Sequence, residues 1–302
     1  MRRADAGPIG GATLMDWLSI VIQGSLLGGL YALFAVGLSL TFGIMRIINI
    51  SHGDLITLAA FSALVIVRLL GIHPLAALLV VVPGMFALGY LLQRTLLNRT
   101  LGTDVLPPLL VTFGVSVIIQ NVLLEVFGAD TQRLHIGQLE TASLVLPGGT
   151  AVGLFPLAIF AVAVALLGAL QIFFDRTDLG RAFRATSDDA TTAELMGIDN
   201  RHLYALAMGL AVAVTGVAGV FLAIRSNFDP SIGPDRLIYA FEAIIIGGLG
   251  SVWGTLIGAV VVGVAQSVGS AFDPQWQILA GHIAFLVILL VRPHGLFPRT
   301  RD

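Results

Sequence analysis

The sequence predicts an all-α fold, a polytopic transmembrane bundle of about eight spanning helices. The first observation is composition, because 57% of the 302 residues are apolar and only 11% are charged, whereas a soluble domain carries about 25% charged residues. The second is that the apolar residues lie in eight charge-free runs, seven of which have at least 18 residues. A helix needs about 20 apolar residues to cross a bilayer, so these runs are long enough to span one.

The runs place the elements in order along the chain. Helices are expected near 17–43, 51–70, 74–93, 105–127, 153–174, 203–225, 238–270 and 276–292. The first run is too long for the core of a signal peptide, so it is interpreted as a spanning helix. Residues 1–14, rich in Gly and Ala, are expected to be a disordered tail before a single transmembrane domain over 15–298.

Two connections between the predicted helices are long. The first, 128–152, contains Pro147, Gly148 and Gly149 and is predicted to be an ordinary loop. The second, 175–202, is the only substantial polar segment of the chain and carries both Arg and Asp residues. Because basic loops stay inside, we place 175–202 in the cytoplasm.

The same rule raises a conflict at the carboxyl terminus. With simple alternation of eight helices the Arg-containing tail would lie outside, although its charges favour the inside. The conflict disappears if 238–270 crosses twice. As one helix it would be roughly 50 Å long, and it carries Gly247, Gly248 and Gly250 at its centre. A broken or re-entrant segment is therefore expected, with a single tilted helix and an outside tail as the alternative.

Composition also excludes several functions. The net charge is −2 and all sixteen basic residues are Arg, so general nucleic-acid binding is disfavoured. The absence of Lys excludes a phosphate-binding P-loop and a Lys Schiff base. The absence of Cys excludes thiolate chemistry, and the six His residues show no metal spacing, so no metal site is predicted.

Ser51, His52 and Asp54 suggest a hydrolytic triad at first sight. Neighbouring residues on a helix point about 100° apart, and no Gly-x-Ser-x-Gly turn surrounds Ser51, so we predict no catalytic residue. Asn49 or Ser51 is expected to cap the second helix, with Asp54 in its first turn, where the helix dipole favours a carboxylate.

Other polar groups and glycines lie within the predicted spans. The polar groups are Gln23, Gln120, Asn121, Glu125, Glu242, Gln266 and His282. Ionisable residues inside a membrane are functional candidates. Glu242 lies beside the suspected break, and Arg236 could pair with it or with Asp235. Gly24 and Gly28, like Gly250, Gly254 and Gly258, follow the small-xxx-small spacing of closely packed membrane helices.

The polar loop is predicted to contain a short helix from a Ser187 cap to a Gly197 stop, with Asp188 and Asp189 in its first turn. Such a helix would lie along the membrane surface, either as a docking element or as a solvated connector.

Several motifs then point to a family. They are Gly28-Gly29-Leu30-Tyr31-Ala32-Leu33, Gly43-Ile44, Asn49-Ile50-Ser51-His52-Gly53-Asp54, Gly180-Arg181-Ala182-Phe183-Arg184-Ala185, Leu195-Met196-Gly197-Ile198, Gly247-Gly248-Leu249-Gly250-Ser251 and Arg292-Pro293-His294-Gly295-Leu296-Phe297. In their order and spacing the chain resembles the Liv-type permeases of branched-chain amino acid ABC importers, specifically the H-like subunit. The resemblance spans Trp17 to Pro298.

The resemblance implies a subunit of the bacterial plasma membrane that needs no cofactor. Its partners would be a second homologous permease, two cytoplasmic ABC ATPases, an extracytoplasmic solute-binding protein and membrane lipid. The loop would couple to the ATPase through Arg181, Arg184, Asp188, Asp189, Ala193, Glu194 and Gly197. Two of the three positions that match the Glu-Ala-Ala of ABC coupling loops are Thr191 and Thr192 here. The pathway or hinge candidates are Asn49, His52, Asp54, Glu242, Gly247, Gly248 and Gly250.

Two other classes stay open as alternatives. A gradient-driven secondary transporter would need a mid-membrane ion site and often internal repeats. The interrupted stretches 43–53 and 233–250 could be such a pair, but the two halves do not align. An intramembrane enzyme would need a convergent acid, base or metal cluster, which the sequence does not present.

Overall fold

A computed structural model describes residues 14–101, 106–145 and 150–297. The tail expected over 1–14 lies outside these residues except for Leu14. Pro147, Gly148, Gly149 and Pro298 also lie outside them.

The described residues form twelve α-helices and one two-stranded antiparallel hairpin. The helices are α1 (Leu14–Met45), α2 (His52–Leu70), α3 (Leu78–Thr95), α4 (Leu106–Phe127), α5 (Gln138–Thr141), α6 (Leu154–Arg176), α7 (Asp178–Asp188), α8 (Ala190–Leu195), α9 (Asn200–Arg225), α10 (Gly233–Gly247), α11 (Val252–Phe272) and α12 (Trp276–Val291). The strands are β1 (Ser143–Val145) and β2 (Ala151–Gly153), and 3₁₀ turns precede and follow α3.

Seven of these helices are long and apolar enough to cross a membrane, namely α1, α2, α3, α4, α6, α9 and α11. The apolar α12 is shorter, at 16 residues. The predicted all-α bundle of about eight spanning helices is therefore confirmed.

The break expected near 247–250 is present. α10 ends at Gly247, and Gly248 and Gly250 have φ of 102° and 77°, in the left-handed region that glycine adopts without strain. The chain then reverses, and Ser251 caps α11, because its hydroxyl accepts the Gly254 N–H at 3.1 Å. α10 and α11 pack antiparallel, since Gly258 lies against the Ala243 carbonyl. The alternative of one tilted helix is wrong.

Contacts sort the charged residues to two ends of the bundle. At the end formed by α7 and α8, Asn98 donates to the Arg201 carbonyl and Arg94 to the Tyr90 hydroxyl. At the end formed by the hairpin, Arg68 donates to Gln132, and Arg133 to the Ile224 carbonyl. We call these the α7–α8 end and the hairpin end.

The carboxyl-terminal segment returns to the α7–α8 end. The Leu296 N–H donates to the Ile246 carbonyl, and the Phe297 N–H to the Gly247 carbonyl. With α10 and α11 running in opposite directions, residues 292–297, including Arg292, lie at the same end as α7 and α8.

Glycine allows the central helices to approach closely. α1 runs antiparallel to α11, and a Cβ on Gly24 would lie only 2.6 Å from the Val264 Cα. Gly28 lies equally close to Val260 one turn further along. Small residues permit this backbone approach, as their spacing predicted.

The described residues of the connection 128–152, which are 128–145 and 150–152, are more ordered than expected. They contain α5, the hairpin and an isolated bridge between Gln132 and Phe228. Glu140 organises it, because its carboxylate accepts the Ile136 N–H at 2.6 Å and pairs with Arg133. The Ile136 N–H is the main reason that the pKa of Glu140 is lowered. The prediction of an ordinary loop is wrong, because these contacts join residues that no local pattern connects.

Candidate functional site

The second helix begins deep inside the bundle. α1 ends at Met45, and Arg46 takes a left-handed φ of 54° that turns the chain back. Residues 46–51 are not helical, and α2 starts at His52. The His52 Nε2–H donates to the Phe34 carbonyl at 2.7 Å. Phe34 lies about three turns before the end of α1. We call this level mid-depth.

The cap of α2 differs from the prediction. Ser51 occupies the cap position but its hydroxyl makes no capping bond. Instead the Asn49 side-chain oxygen accepts both the Ser51 N–H at 3.0 Å and the Ser51 hydroxyl at 2.7 Å. Asn49 and Ser51 are fully buried, so this turn satisfies backbone groups that have no access to water.

Asp54 is a buried carboxylate at mid-depth. It is 1% exposed and accepts hydrogen bonds from the Ser116 hydroxyl at 2.5 Å and the Gln120 amide at 3.0 Å. A third polar residue of α4, Thr112, also contacts the start of α2, because its hydroxyl accepts the Ile50 N–H. Thr112, Ser116 and Gln120 follow each other at four-residue spacing along α4. Sequence reasoning missed Thr112 and Ser116, although that spacing marks one helix face.

A shorter helix, α10, meets α2 at Asp54. α10 begins at Gly233, and a Cβ on Gly233 would collide with the Asp54 carboxylate. A Cβ on Gly53 would collide with the Gly233 carbonyl in the same way. The amino-terminal ends of α2 and α10 therefore meet at mid-depth, where both helix dipoles stabilise a negative charge.

Glu242 is a second buried carboxylate among the residues that the structure describes. It is 3% exposed and pairs with His282 Nδ1 on α12, while its Oε2 has no hydrogen-bond partner. The sequence had suggested that Arg236 could pair with Glu242. Instead, the Arg236 guanidinium lies over the Tyr239 ring, 5.7 Å from its centroid. Nearby, the Tyr31 hydroxyl donates to Gln266 Oε1 at 2.6 Å.

The polar loop contains two helices rather than one. Ser187 lies inside α7 and donates to the Gly43 carbonyl of α1 at 2.6 Å. The cap of α8 is Asp189, whose carboxylate accepts the Thr191 and Thr192 N–H groups. The Thr192 hydroxyl, followed by these N–H groups, lowers the pKa of Asp189. The predicted Ser187 cap is wrong, because Ser187 is used to anchor α7 to α1.

The predicted coupling residues have different surroundings. Ala193 is 4% exposed and packs into its own chain, contrary to the expectation that it faces a partner. Leu195 and Met196 are 83% and 80% exposed and form an apolar tip. Gly197 has a φ of 88°, the left-handed stop that the sequence predicted.

The charged residues of the loop lie mostly on its surface. Arg181 pairs with Asp178, and Arg184 donates to the Phe174 carbonyl and to Asp175. Glu194 is exposed. None of these residues lies near mid-depth, so they are separate from the pathway candidates Asn49, His52 and Asp54.

A cavity of about 430 Å³ joins the loop to the helix break. Its walls include Arg46, Arg184, Ser187, Asp188 and Gly250. α7 is linked to the turn between α10 and α11 through Gly43, which accepts the Ser187 hydroxyl and lies against Gly250. No group of three or more candidate metal ligands occurs among the residues that the structure describes.

A short helix, α10, whose amino-terminal end meets the start of α2 inside an apolar multi-pass bundle, is typical of integral membrane transport proteins. Residues 20–292 match the family described as "Branched-chain amino acid transport system / permease component". The chain therefore belongs to this family of permease components, and it is a multi-pass protein of the bacterial inner membrane.

Three relatives illustrate the similarity. The chain is 28% identical to the high-affinity branched-chain amino acid transport system permease protein BraD of Pseudomonas aeruginosa, over 95% of this chain and 97% of the relative. It is 28% identical to LivH of Escherichia coli, over 94% and 96%. It is also 24% identical to LivM of Escherichia coli, over 90% of this chain and 68% of the relative.

Proposed function

We propose that this chain conducts branched-chain or related amino acids across the membrane as one permease subunit of an ATP-driven importer. The observation that carries the proposal is the position of the polar loop. Ser187 of α7 donates a hydrogen bond to Gly43 of α1, and α7 and the helix break line the same cavity. The cargo is inferred from the names of the relatives, which are branched-chain amino acid permeases.

The proposed complex needs several other chains. Two permeases of the same organism, LivH and LivM of Escherichia coli, are both similar to this chain, which supports a second homologous permease as partner. The chain has no Lys for a P-loop, so we assign ATP hydrolysis to two cytoplasmic ATPases and no catalytic role to this subunit. A solute-binding protein would deliver the cargo on the other side.

We place the α7–α8 end in the cytoplasm, where the apolar tip of Leu195 and Met196 would enter a cleft of the ATPase. Closure of the ATPase would then push α8 and α7 toward Gly43 and the break at Gly248. Arg181, Arg184, Asp188, Asp189 and Glu194 would surround this contact, and Ala193 would hold α8 to its own chain.

The complex reconstituted in liposomes with its solute-binding protein tests this proposal. We expect leucine uptake that requires ATP on the ATPase side and survives dissipation of the proton gradient by an ionophore. An ATPase partner disabled in hydrolysis is the control, and it should abolish uptake. Uptake that continues without ATP and stops with the ionophore would support the gradient-driven alternative instead.

A further inference from the structure

One face of α10 is open although the helix lies at the centre of the fold. At 15 residues it is about 22 Å long and too short to cross a membrane. Its open face carries Pro234, Ile238, Phe241 and Ile245, and Leu249 continues the row just after the helix. We call these five residues the α10 strip. Ile238 is 46% and Leu249 36% exposed, whereas the rest of the helix beyond its first turn is largely covered.

The neighbours of α10 define the borders of the strip. Behind it, Tyr239 stacks on Tyr31 of α1, with ring centroids 5.0 Å apart, and Ala243 contacts α11. On one side Gly233 lies against α2, and α4 lies beyond α2. On the other side Glu242 binds His282 of α12. The α10 strip therefore lies at the bottom of a groove that has α4 on one side and α12 on the other.

Polar groups on both sides of the α10 strip argue that the strip does not face lipid. Gln120 of α4 is half-buried beside Asp54, and the His282 side chain is 38% exposed. The chain entering α10, residues 226–232, is not helical. Irregular backbone and polar side chains occur at membrane depth where they line a water-filled cavity or are covered by protein.

Glu242 adds a specific chemical feature to the border. Its carboxylate is buried, its bond to His282 uses only Oε1, and Oε2 has no partner. A buried carboxylate with a free oxygen is strongly stabilised by a cation. An ammonium group attached to an apolar side chain would satisfy Glu242 and lie along the apolar strip at the same time.

We infer that the α10 strip lines the translocation pathway and that Glu242 recognises the α-ammonium group of the cargo. The cargo's apolar side chain then passes over Ile238 and Phe241 toward Leu249, which also lines the cavity beside α7. This inference deepens the proposed function and rests on it.

Cysteine accessibility tests the pathway. The chain has no Cys, so a single introduced thiol is labelled uniquely in this subunit. In the reconstituted complex, we expect Ile238→Cys to react with a charged, membrane-impermeant methanethiosulfonate, and the modification to block uptake. The matched control is Leu88→Cys on α3, which is 37% exposed and should stay unreactive in lipid. Ile238→Cys reacting as slowly as Leu88→Cys would overturn the pathway assignment.

The same thiol reports on Glu242 without altering it. Leucine and isoamylamine, which both carry the ammonium group, should slow the labelling of Ile238→Cys, and 4-methylpentanoate, which lacks it, should not. Equal protection by 4-methylpentanoate would overturn the role of Glu242.

A substitution gives a second readout. Glu242→Gln should lower ATP-driven uptake by about tenfold or more, the loss typical of one charge-assisted hydrogen bond. The control Glu125→Gln, on the exposed end of α4, should transport normally, and both variants are checked for co-purification with the ATPase. Wild-type uptake by an assembled Glu242→Gln complex would overturn the inference. If the unmodified complex lacked ATP-driven uptake, the proposed function itself would fail.

Discussion

Two glycines determine how closely α2 and α10 approach each other. The backbones of Gly53 in α2 and Gly233 in α10 are in direct contact, and the Asp54 side chain packs against Gly233. Neither position has room for a methyl group, because backbone or carboxylate atoms occupy the place of a Cβ. The meeting of the two amino-terminal ends therefore depends on the smallest side chain.

Gly233→Ala is expected to destabilise the protein by about 1–3 kcal/mol, the usual cost of overpacking a tight contact. Thermal unfolding of the purified subunit in detergent should show a lower midpoint than wild type. The control is Gly114→Ala on α4, where nothing lies within 4 Å of the new methyl group. Because Ala favours a helix, this control should be neutral or slightly stabilising. Equal midpoints for Gly233→Ala and wild type would contradict the close contact.

At the residue scale the sequence identifies the buried charges but not their partners. Asp54, His52 and Glu242 stand out because charged and polar residues are rare in apolar runs. Ser116, which binds Asp54, lies 62 residues away, and His282 lies 40 residues from Glu242. Such pairs are decided by helix packing, which no local pattern contains.

At the scale of elements, the break between α10 and α11 follows from length and composition. An apolar stretch too long for one crossing, with Gly248 and Gly250 at its centre, has to bend. The polar loop is harder to predict, because Ser187 and Asp189 are both good caps. Asp189 is the residue that caps α8, because the Ser187 hydroxyl donates instead to the Gly43 carbonyl of a distant helix.

Gly248→Leu is expected to abolish transport while the subunit still inserts in the membrane. Gly248 has a φ of 102°, which costs a residue with a side chain about 1–2 kcal/mol. Gly295 also packs on Gly248, since a Cβ on Gly295 would lie 2.7 Å from the Gly248 Cα. A Leu side chain would therefore strain the turn and displace the carboxyl-terminal segment.

Leucine uptake at equal membrane levels measures this effect. Ala169→Leu is the control, because Ala169 is exposed on α6 and is not among the residues that line the cavity at the break. It should transport at close to the wild-type rate. If Gly248→Leu also transports normally, the turn is not a hinge.

At the scale of the whole molecule, burial separates a central group of helices from a peripheral one. In the most apolar part of α9, 89% of the residues are buried, against 17% in α4. α1 and α9 therefore form the core, and α4 presents most of its surface to lipid or to another subunit. A second permease would find its largest unoccupied surfaces on the peripheral helices.

The arrangement of the two ends follows well from the sequence. Counting Arg residues places Arg46, Arg94 and the carboxyl-terminal tail at the same end, which is what the contacts of their neighbours give. This succeeds because charge distribution is a property of the sequence itself. The fold of 128–152 could not be predicted in the same way, since its bridge to Phe228 joins segments almost 100 residues apart.

The apolar tip of α8 provides the test of docking. A substitution at Ala193 cannot test docking, because Ala193 is buried in its own chain and Ala193→Asp would disturb α8 itself. Leu195 is 83% exposed, so Leu195→Asp should leave the subunit folded and inserted. If the tip enters a cleft of the ATPase, the new carboxylate is buried without a partner, at a cost of several kcal/mol.

A cost of that size weakens association by roughly two or more orders of magnitude. Leu195→Asp should therefore lose its ATPase during purification and lose ATP-driven uptake together. Leu144→Asp is the control, because Leu144 is 50% exposed at the hairpin end, away from the proposed ATPase, and it should keep both properties. An ATPase that stays bound to Leu195→Asp with normal uptake would show that the tip does not dock. A Cys placed at Leu195 that reacts only from the outer side would show, in addition, that the α7–α8 end is not cytoplasmic.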